Sequence, residues 1–150
     1  MAEGDGAVYN VFKFRVLNGT YNLANGGDAI HITLHTGYTP NIDTHAVRAD
    51  VVGTEYGSGA GYTADGKVLT GQSTTQDNTD NEGVYDANDP IWTALGPLTP
   101  STPSHAIMWD NTPSSPVVDP LIGYWELGTT PTNGSDYRLQ FAAEGVLNLA

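Results

Sequence analysis

Short stretches in which apolar and polar residues alternate recur along the chain, separated by turns rich in Gly and Pro. The clearest runs from Ala29 to Thr36, where Ile30, Ile32 and Leu34 alternate with polar residues, the period of a strand with one apolar face. Further strands are predicted at Lys67–Gly71, Gln72–Asp77, Val84–Ala87, Ile91–Thr93, His105–Asp110, Leu121–Leu127, Tyr137–Phe141 and Val146–Leu149. This pattern predicts a mainly β fold, an antiparallel β-sandwich or jelly-roll-like barrel with one or two short helices.

The apolar residues within 8–17 are compatible with the periodicity of a helix and with that of a strand. Val8, Phe12 and Val16 recur every four residues, which favours a helix, and the Asn-Gly pair at 18–19 is typical of a helix end. Strand alternation is also tolerable there, and we favour the short helix.

Two further local structures are predicted. Asp43 is placed to cap a short helix in which Val47 and Val51 share a face. Lys67–Gly71 and Gln72–Asp77 are predicted to form a hairpin that turns near the end of its first strand.

The length of 150 residues indicates one domain, 1–150, in which residues 1–7 form a loose arm. The strand phases also predict which side chains form the core, subject to register. The predicted core residues are Ile30, Ile32, Leu34, Trp92, Ile107, Trp109, Ile122 and Leu139.

The charge balance excludes several classes of partner. The chain has 5 Lys and Arg against 17 Asp and Glu, a net charge of −12. Sequence-independent binding to nucleic acid needs cations that displace counterions, and adhesion to anionic lipid needs them too. We therefore expect no nucleic-acid partner and no membrane partner.

The chain contains no cysteine, which excludes disulfides, thiolate metal sites and thiol catalysis. Its first ten residues lack the basic and apolar regions of a secretory signal. No stretch approaches the ~18 consecutive apolar residues of a membrane span. The protein is expected to act where it is made, or to leave inside a larger particle.

Candidate metal ligands occur in two places. Asp80, Glu82, Asp86 and Asp89 follow part of the spacing of a Ca²⁺ loop, but Asn78 and Asp89 replace its first Asp and last Glu. A solvated acidic turn is favoured. The second place is the 29–36 strand, whose two histidines, four residues apart, would lie about 13 Å from each other, too far for one metal. Both are interpreted as facing solvent or an interface.

No catalytic group emerges. Gly61–Lys67 fits a phosphate loop, but Val68 follows where Mg²⁺ binding needs Ser or Thr. No nucleophile elbow is present. We predict a protein that is not an enzyme, with no cofactor and no metal.

Six segments of the chain form a recognisable series: YNVFKFRVLNG (9–19), IHITLHTGYTPNIDTH (30–45), SGAGYTADGKVLTG (58–71), VYDANDPIW (84–92), LIGYWELG (121–128) and FAAEGVLNLA (141–150). In this order they resemble a pattern found in small structural proteins of tailed bacteriophages. The chain departs from the pattern at Phe14 and Arg15, in a longer acidic 76–89 region and in the Pro-rich 96–104 loop. The resemblance implies a virion protein, often a capsid decoration protein, and carries over no catalytic residue.

The resemblance implies a partner, the major capsid protein, and a place on the outer capsid surface. A tail or fibre component that contacts the host is the alternative. Tyr56, Tyr62 and Leu98 are the predicted partner-binding anchors, because aromatic residues in loops dominate interface energetics. A homotrimer is expected, since shells present local three-fold positions that a trimer matches.

Overall fold

The computed structural model describes residues 6–113 and 115–150. Among these residues strands make up 36% and helices 10%, and the sheets are antiparallel. The mainly β, sandwich-like fold with few helices, expected from the sequence, is therefore confirmed.

Ten strands and one α-helix occur in the described residues. In chain order they are β1 (Gly6–Val8), α1 (Asn10–Leu17), β2 (Ile30–His35), β3 (Lys67–Val68), β4 (Ser73–Asp77), β5 (Glu82–Asp86), β6 (Ile91–Leu95), β7 (His105–Asp110), β8 (Leu121–Glu126), β9 (Ser135–Arg138) and β10 (Leu147–Leu149). Two 3₁₀ turns, Arg48–Asp50 and Val52–Thr54, lie between β2 and β3.

A five-stranded sheet in the order β1-β8-β7-β2-β3 forms the centre of the fold. A three-stranded sheet, β10-β5-β4, and a two-stranded sheet, β6-β9, contribute to the same core. Tyr85 and Leu147 from the first and Trp92 and Leu95 from the second belong to the buried cluster that includes Ile32 of β2. The two small sheets therefore cover one face of the central sheet.

The other face of the central sheet is buried as well. Thr33 of β2 lies opposite Ile107 of β7, and Ile107 packs in a second buried cluster with Tyr9, Tyr38 and others. Every residue of β2 and β7 is buried as a result. Neither face of β2 or β7 is therefore exposed to solvent.

The predicted core is largely confirmed. Seven of its eight members are buried, and Leu139 is partly buried against the same cluster. The core divides between the two faces, because Ile107 and Trp109 belong to the second cluster.

The helical interpretation of residues 8–17 is confirmed for Asn10–Leu17. Phe12 is fully buried in the core, and Gly19 adopts a φ of +73° just after the helix, the left-handed conformation that glycine adopts readily at helix ends.

The helix predicted after Asp43 is wrong. The Asp43 carboxylate accepts a hydrogen bond from Asn10 Nδ2 (2.6 Å) and caps no helix. Asp50 Oδ2 instead accepts the amide N–H groups of Ala46 and Val47 (2.8 and 3.0 Å). The backbone is held in a tight turn, and only short 3₁₀ turns form.

The predicted hairpin and the predicted arm also need correction. β3 pairs with β2, whereas β4 pairs with β5, so the chain passes from one sheet to another at this point. Leu69, between them, is buried and its N–H donates to Ile30 O (2.7 Å). Of the predicted arm 1–7, residues 1–5 lie outside the described residues, and Gly6 and Ala7 pair with β8.

Candidate partner-binding surface

The three predicted anchors are buried. Tyr56, Tyr62 and Leu98 are only 5%, 2% and 6% exposed. The rings of Tyr56 and Tyr62 contact each other (centroids 6.3 Å apart), and Tyr62 stacks on Trp92 at the same distance. These side chains are therefore part of the core, and the prediction that they are exposed anchors is wrong.

Glu55 explains why the loop that carries the two tyrosines folds inward. Its Oε1 accepts hydrogen bonds from the Tyr62 hydroxyl (3.1 Å) and the Asp65 amide (2.7 Å), while Oε2 pairs with Arg48 (2.7 Å). The Arg48 guanidinium also lies 4.8 Å from the centre of the Trp109 ring. This carboxylate thus fixes both ends of the loop against the central sheet.

The histidines of β2 are likewise buried, contrary to the prediction that they face solvent or an interface. His31 is 8% and His35 is 1% exposed. All four histidines of the chain have a ring nitrogen within hydrogen-bonding distance of a protein oxygen. The pairs are His31 Nδ1–Asp65 O (2.9 Å), His35 Nε2–Thr33 Oγ1 (2.8 Å), His45 Nδ1–Tyr38 Oη (2.8 Å) and His105 Nδ1–Ser104 Oγ (2.9 Å). They form one polar layer over the second face of the central sheet.

Burial keeps two members of this layer, His35 and His105, uncharged. Desolvation, assisted by the neighbouring His105 and Arg48, lowers the pKa of His35 to about 3. Desolvation also lowers the pKa of His105, with Glu126 acting in the opposite direction. The layer positions the loops over the sheet, and His35 and His105 remain neutral near pH 7.

The acidic 78–89 region forms the β4–β5 turn, the strand β5 and the segment that follows it. Asp77 Oδ1 accepts the amide N–H groups of Thr79 and Asp80 (2.7 and 3.2 Å), which closes the turn. Asp89 is bound to Arg138 (2.6 Å). Within 6–113 and 115–150, no group of three or more His, Asp or Glu is arranged to hold a metal ion.

The exposed apolar side chains lie elsewhere, most prominently on α1. Phe14 is 64% and Leu17 is 89% exposed, and their spacing of three residues places them on one face of the helix. Sequence patterning did not identify this face, because α1 is apolar on the buried side as well. The sequence feature that indicates an exposed apolar face here is a short helix with apolar residues on both of its sides.

One exposed cation, Lys13, lies beside this face. It precedes Leu17 by four residues and is therefore its neighbour on the helix surface, whereas Arg15 is half-buried with its Nε buried, and Arg48 and Arg138 are paired with carboxylates. We call Lys13, Phe14 and Leu17 the α1 surface. It offers apolar contact and positive charge on a chain that is strongly negative as a whole.

None of the helices in the described residues is long and apolar enough to cross a membrane. The chain matches no family model, no curated protein and no solved structure.

Proposed function

We propose that this protein is a virion structural protein of a tailed phage. In this proposal it decorates the capsid by binding the outer surface of the shell of major capsid protein, stabilises that shell, and catalyses no reaction.

One observation carries the proposal: the six segments that resemble the phage pattern contact one another in the fold. They are far apart in sequence, yet each touches at least one other. The contacts are Tyr9 Oη–Tyr38 Oη (2.7 Å), Asn10 Nδ2–Asp43 Oδ1 (2.6 Å), Leu34 N–Tyr62 Oη (3.0 Å), Tyr62–Trp92 (rings, 6.3 Å), Phe141 N–Asp89 Oδ1 (2.9 Å) and Trp125–Phe141 (rings, 6.0 Å).

These contacts give the pattern a structural meaning. The shared tyrosines, tryptophans and asparagines hold one framework together, which is what a resemblance based on common ancestry would preserve. Among the departures, Phe14 and the turn residues 78–81 are exposed, where a partner-specific surface would vary. Arg15 is half-buried and Leu98 of the 96–104 loop is buried, so the departures also include positions inside the fold.

The α1 surface replaces the buried tyrosines as the proposed capsid contact. Phe14 and Leu17 supply apolar area, and the exposed Lys13 complements an acidic group on the shell. Apolar anchors that bury in a partner's pocket dominate interface energy. The bound form is proposed to be a homotrimer at the local three-fold positions, where three linked contacts bind more tightly than one.

The test is the copy number and location of the protein in purified virions. Quantitative mass spectrometry is expected to find hundreds of copies per particle, and immunogold labelling is expected to mark heads. A few to a few dozen copies, with label on the tail, would instead identify a tail or fibre component. Absence from virions would refute both assignments.

A further inference from the structure

A cleft of about 790 Å³ lies between the end of β8 and β9 with the residues that follow it. Most of its lining residues fall in two runs, 125–128 and 136–142, and Thr130, Gly145 and Val146 complete it. Walls made of consecutive residues present backbone edges as well as side chains. The cleft is within the size range of pre-formed binding sites.

The outer edge of β9 forms one wall. Within the described residues β9 pairs with one strand, β6. The amide of Leu139 donates to Pro90 O (3.1 Å) and that of Phe141 to Asp89 Oδ1 (2.9 Å), both on the β6 side. Because backbone groups alternate in direction along a strand, we infer that those of Asp136 and Arg138 are directed away from β6. Those of Gln140, between Leu139 and Phe141, continue this row beyond the end of β9 at Arg138. This is the hydrogen-bonding row that an added strand requires.

The facing wall carries a positioned aromatic side chain, Trp125. Gly6 of β1 lies opposite it in register. A Cβ at Gly6 would lie only 2.7 Å from Trp125 Cδ1 and 2.9 Å from its Nε1, so the indole occupies the space that a side chain there would need. Trp125 also contacts the ring of Phe141 (6.0 Å). Partly buried Leu127 and Leu139 extend this apolar lining.

The charge of the cleft restricts the ligand. Among its described lining residues Arg138 is the one cation, and its Nε and Nη2 both bind Asp89 (2.9 and 2.6 Å). Asp136 is exposed on the same wall, where its Oδ1 accepts the Ala94 amide N–H (2.9 Å), and Glu126 is a second carboxylate of the lining. An occupant that brings positive charge is therefore favoured over an acidic one.

We propose that the outer edge of β9 binds an extended segment of the major capsid protein as an added antiparallel or parallel strand. The segment carries alternate apolar side chains, which pack on Trp125 and Phe141, and at least one Lys or Arg near Asp136. This inference rests on the proposed function, since it names the part of the shell protein that is bound.

The absence of cysteine allows a site-specific cross-linking test. Gln140→Cys, at an exposed position in the cleft wall, is labelled with benzophenone maleimide and bound to empty shells of the major capsid protein from the same phage. Ser73→Cys, exposed on β4 in a different sheet, is the matched control. Irradiation is expected to join the Gln140→Cys label to one extended capsid peptide and to leave the Ser73→Cys label without that product.

A second pair of variants tests the strand pairing itself. Gln140→Pro removes an N–H on the outer edge, whereas Gln140→Ala retains it. We expect Gln140→Pro to weaken shell binding about tenfold or more and Gln140→Ala to stay within about twofold, with unchanged circular dichroism for both. If the natural chain binds shells but neither the cross-link nor the proline effect occurs, the strand proposal is wrong. If the natural chain fails to bind shells, the proposed function is wrong, and so is the proposal that β9 binds a capsid segment.

Discussion

The hydroxyl groups of Tyr9 and Tyr38 are joined by a buried hydrogen bond of 2.7 Å. The bond connects the start of α1 to the loop that follows β2. Tyr38 Oη also lies 2.8 Å from His45 Nδ1, so this one oxygen serves two partners. Burial raises the pKa of both phenols, and both therefore remain neutral and able to donate.

The first prediction compares the two tyrosines. Tyr9→Phe leaves Tyr38 bonded to His45, whereas Tyr38→Phe leaves both Tyr9 and His45 without that partner. We expect losses in the free energy of unfolding of about 0.5–1.5 kcal/mol for Tyr9→Phe and about 1–3 kcal/mol for Tyr38→Phe. Urea denaturation at constant pH measures both, and a larger loss for Tyr9→Phe would contradict the shared-partner arrangement.

The contributions of Asp110 and His35 to the free energy of unfolding depend on pH in opposite directions. Burial, reinforced by a hydrogen bond with Asp28, raises the pKa of Asp110 to about 7. The folded state then holds a proton that the unfolded state has lost, so this group's contribution falls as pH rises from about 4 to about 7. His35, with its pKa lowered to about 3, stays neutral when folded. Its contribution is present above about 6.5 and is lost as pH falls toward 3.

The second prediction separates these effects with Asp110→Asn. An asparagine imitates the protonated acid: its oxygen accepts from Thr112 N, as Asp110 Oδ1 does at 2.9 Å, and its amide donates to Asp28. Relative to the natural chain, the variant is expected to gain stability as pH rises between about 4 and 7, approaching 1.4 kcal/mol per pH unit, with no further change above 7. Urea titrations from pH 4.5 to 8.5 measure this difference, and a constant difference would show that Asp110 ionises normally.

The same acid titration tests His35. Once Asp110 no longer titrates, acidification below pH 6.5 is expected to destabilise the variant more steeply than the natural chain, because the neutral buried histidines have no opposing group. A pH-independent stability of Asp110→Asn in this range would contradict the lowered pKa of His35.

The sequence predicted the strands well because alternation and turns are local signals. β7 was predicted at its observed bounds, and Ile30, Ile32 and Leu34 are buried as expected. The same signal explains why the predicted exposure of His31 and His35 is wrong, because alternation of apolar and polar residues predicts one face in contact with solvent. A strand in the middle of a sheet covered on both sides can alternate between an apolar and a polar buried face when each polar group finds a partner.

The loop tyrosines show a second limit of the sequence. Tyr56 and Tyr62 lie among glycines, which is compatible with exposed anchors. Their burial depends on partners distant in sequence, such as Pro100 O for the Tyr56 hydroxyl (2.7 Å). No local sequence pattern predicts a hydrogen-bond partner that is distant in sequence. The cleft beside β9 was unpredictable for the same reason, because its two walls come from separate strands.

The third prediction distinguishes the two faces of α1. Phe12 is fully buried, whereas Phe14 is 64% exposed. Phe12→Ala is expected to lower the free energy of unfolding by about 3–5 kcal/mol, and Phe14→Ala by no more than about 0.5 kcal/mol. Phe14→Ala, combined with Leu17→Ser, is expected to reduce binding to empty shells.

The control for shell binding is Val118→Ser, an apolar residue of similar exposure (57%) outside α1. It is expected to bind shells as the natural chain does. If the α1 variant and the control bind equally well, α1 is not the capsid contact, whatever its effect on stability.

The last prediction concerns Gly66, within the segment that superficially fits a phosphate loop. It adopts a φ of +69°, and a Cβ there would lie 2.0 Å from Ile32 O, a backbone atom of the central sheet. Gly37 has a similar φ of +63° but open space around it. Gly37→Ala therefore measures the conformational cost alone, about 1–2 kcal/mol, while Gly66→Ala adds a steric clash of about 1–3 kcal/mol. Urea denaturation of the two variants separates these terms. Equal losses would mean that the β2–β3 edge moves freely; the larger loss expected at Gly66 would show that this glycine is required for close packing of the loop on β2.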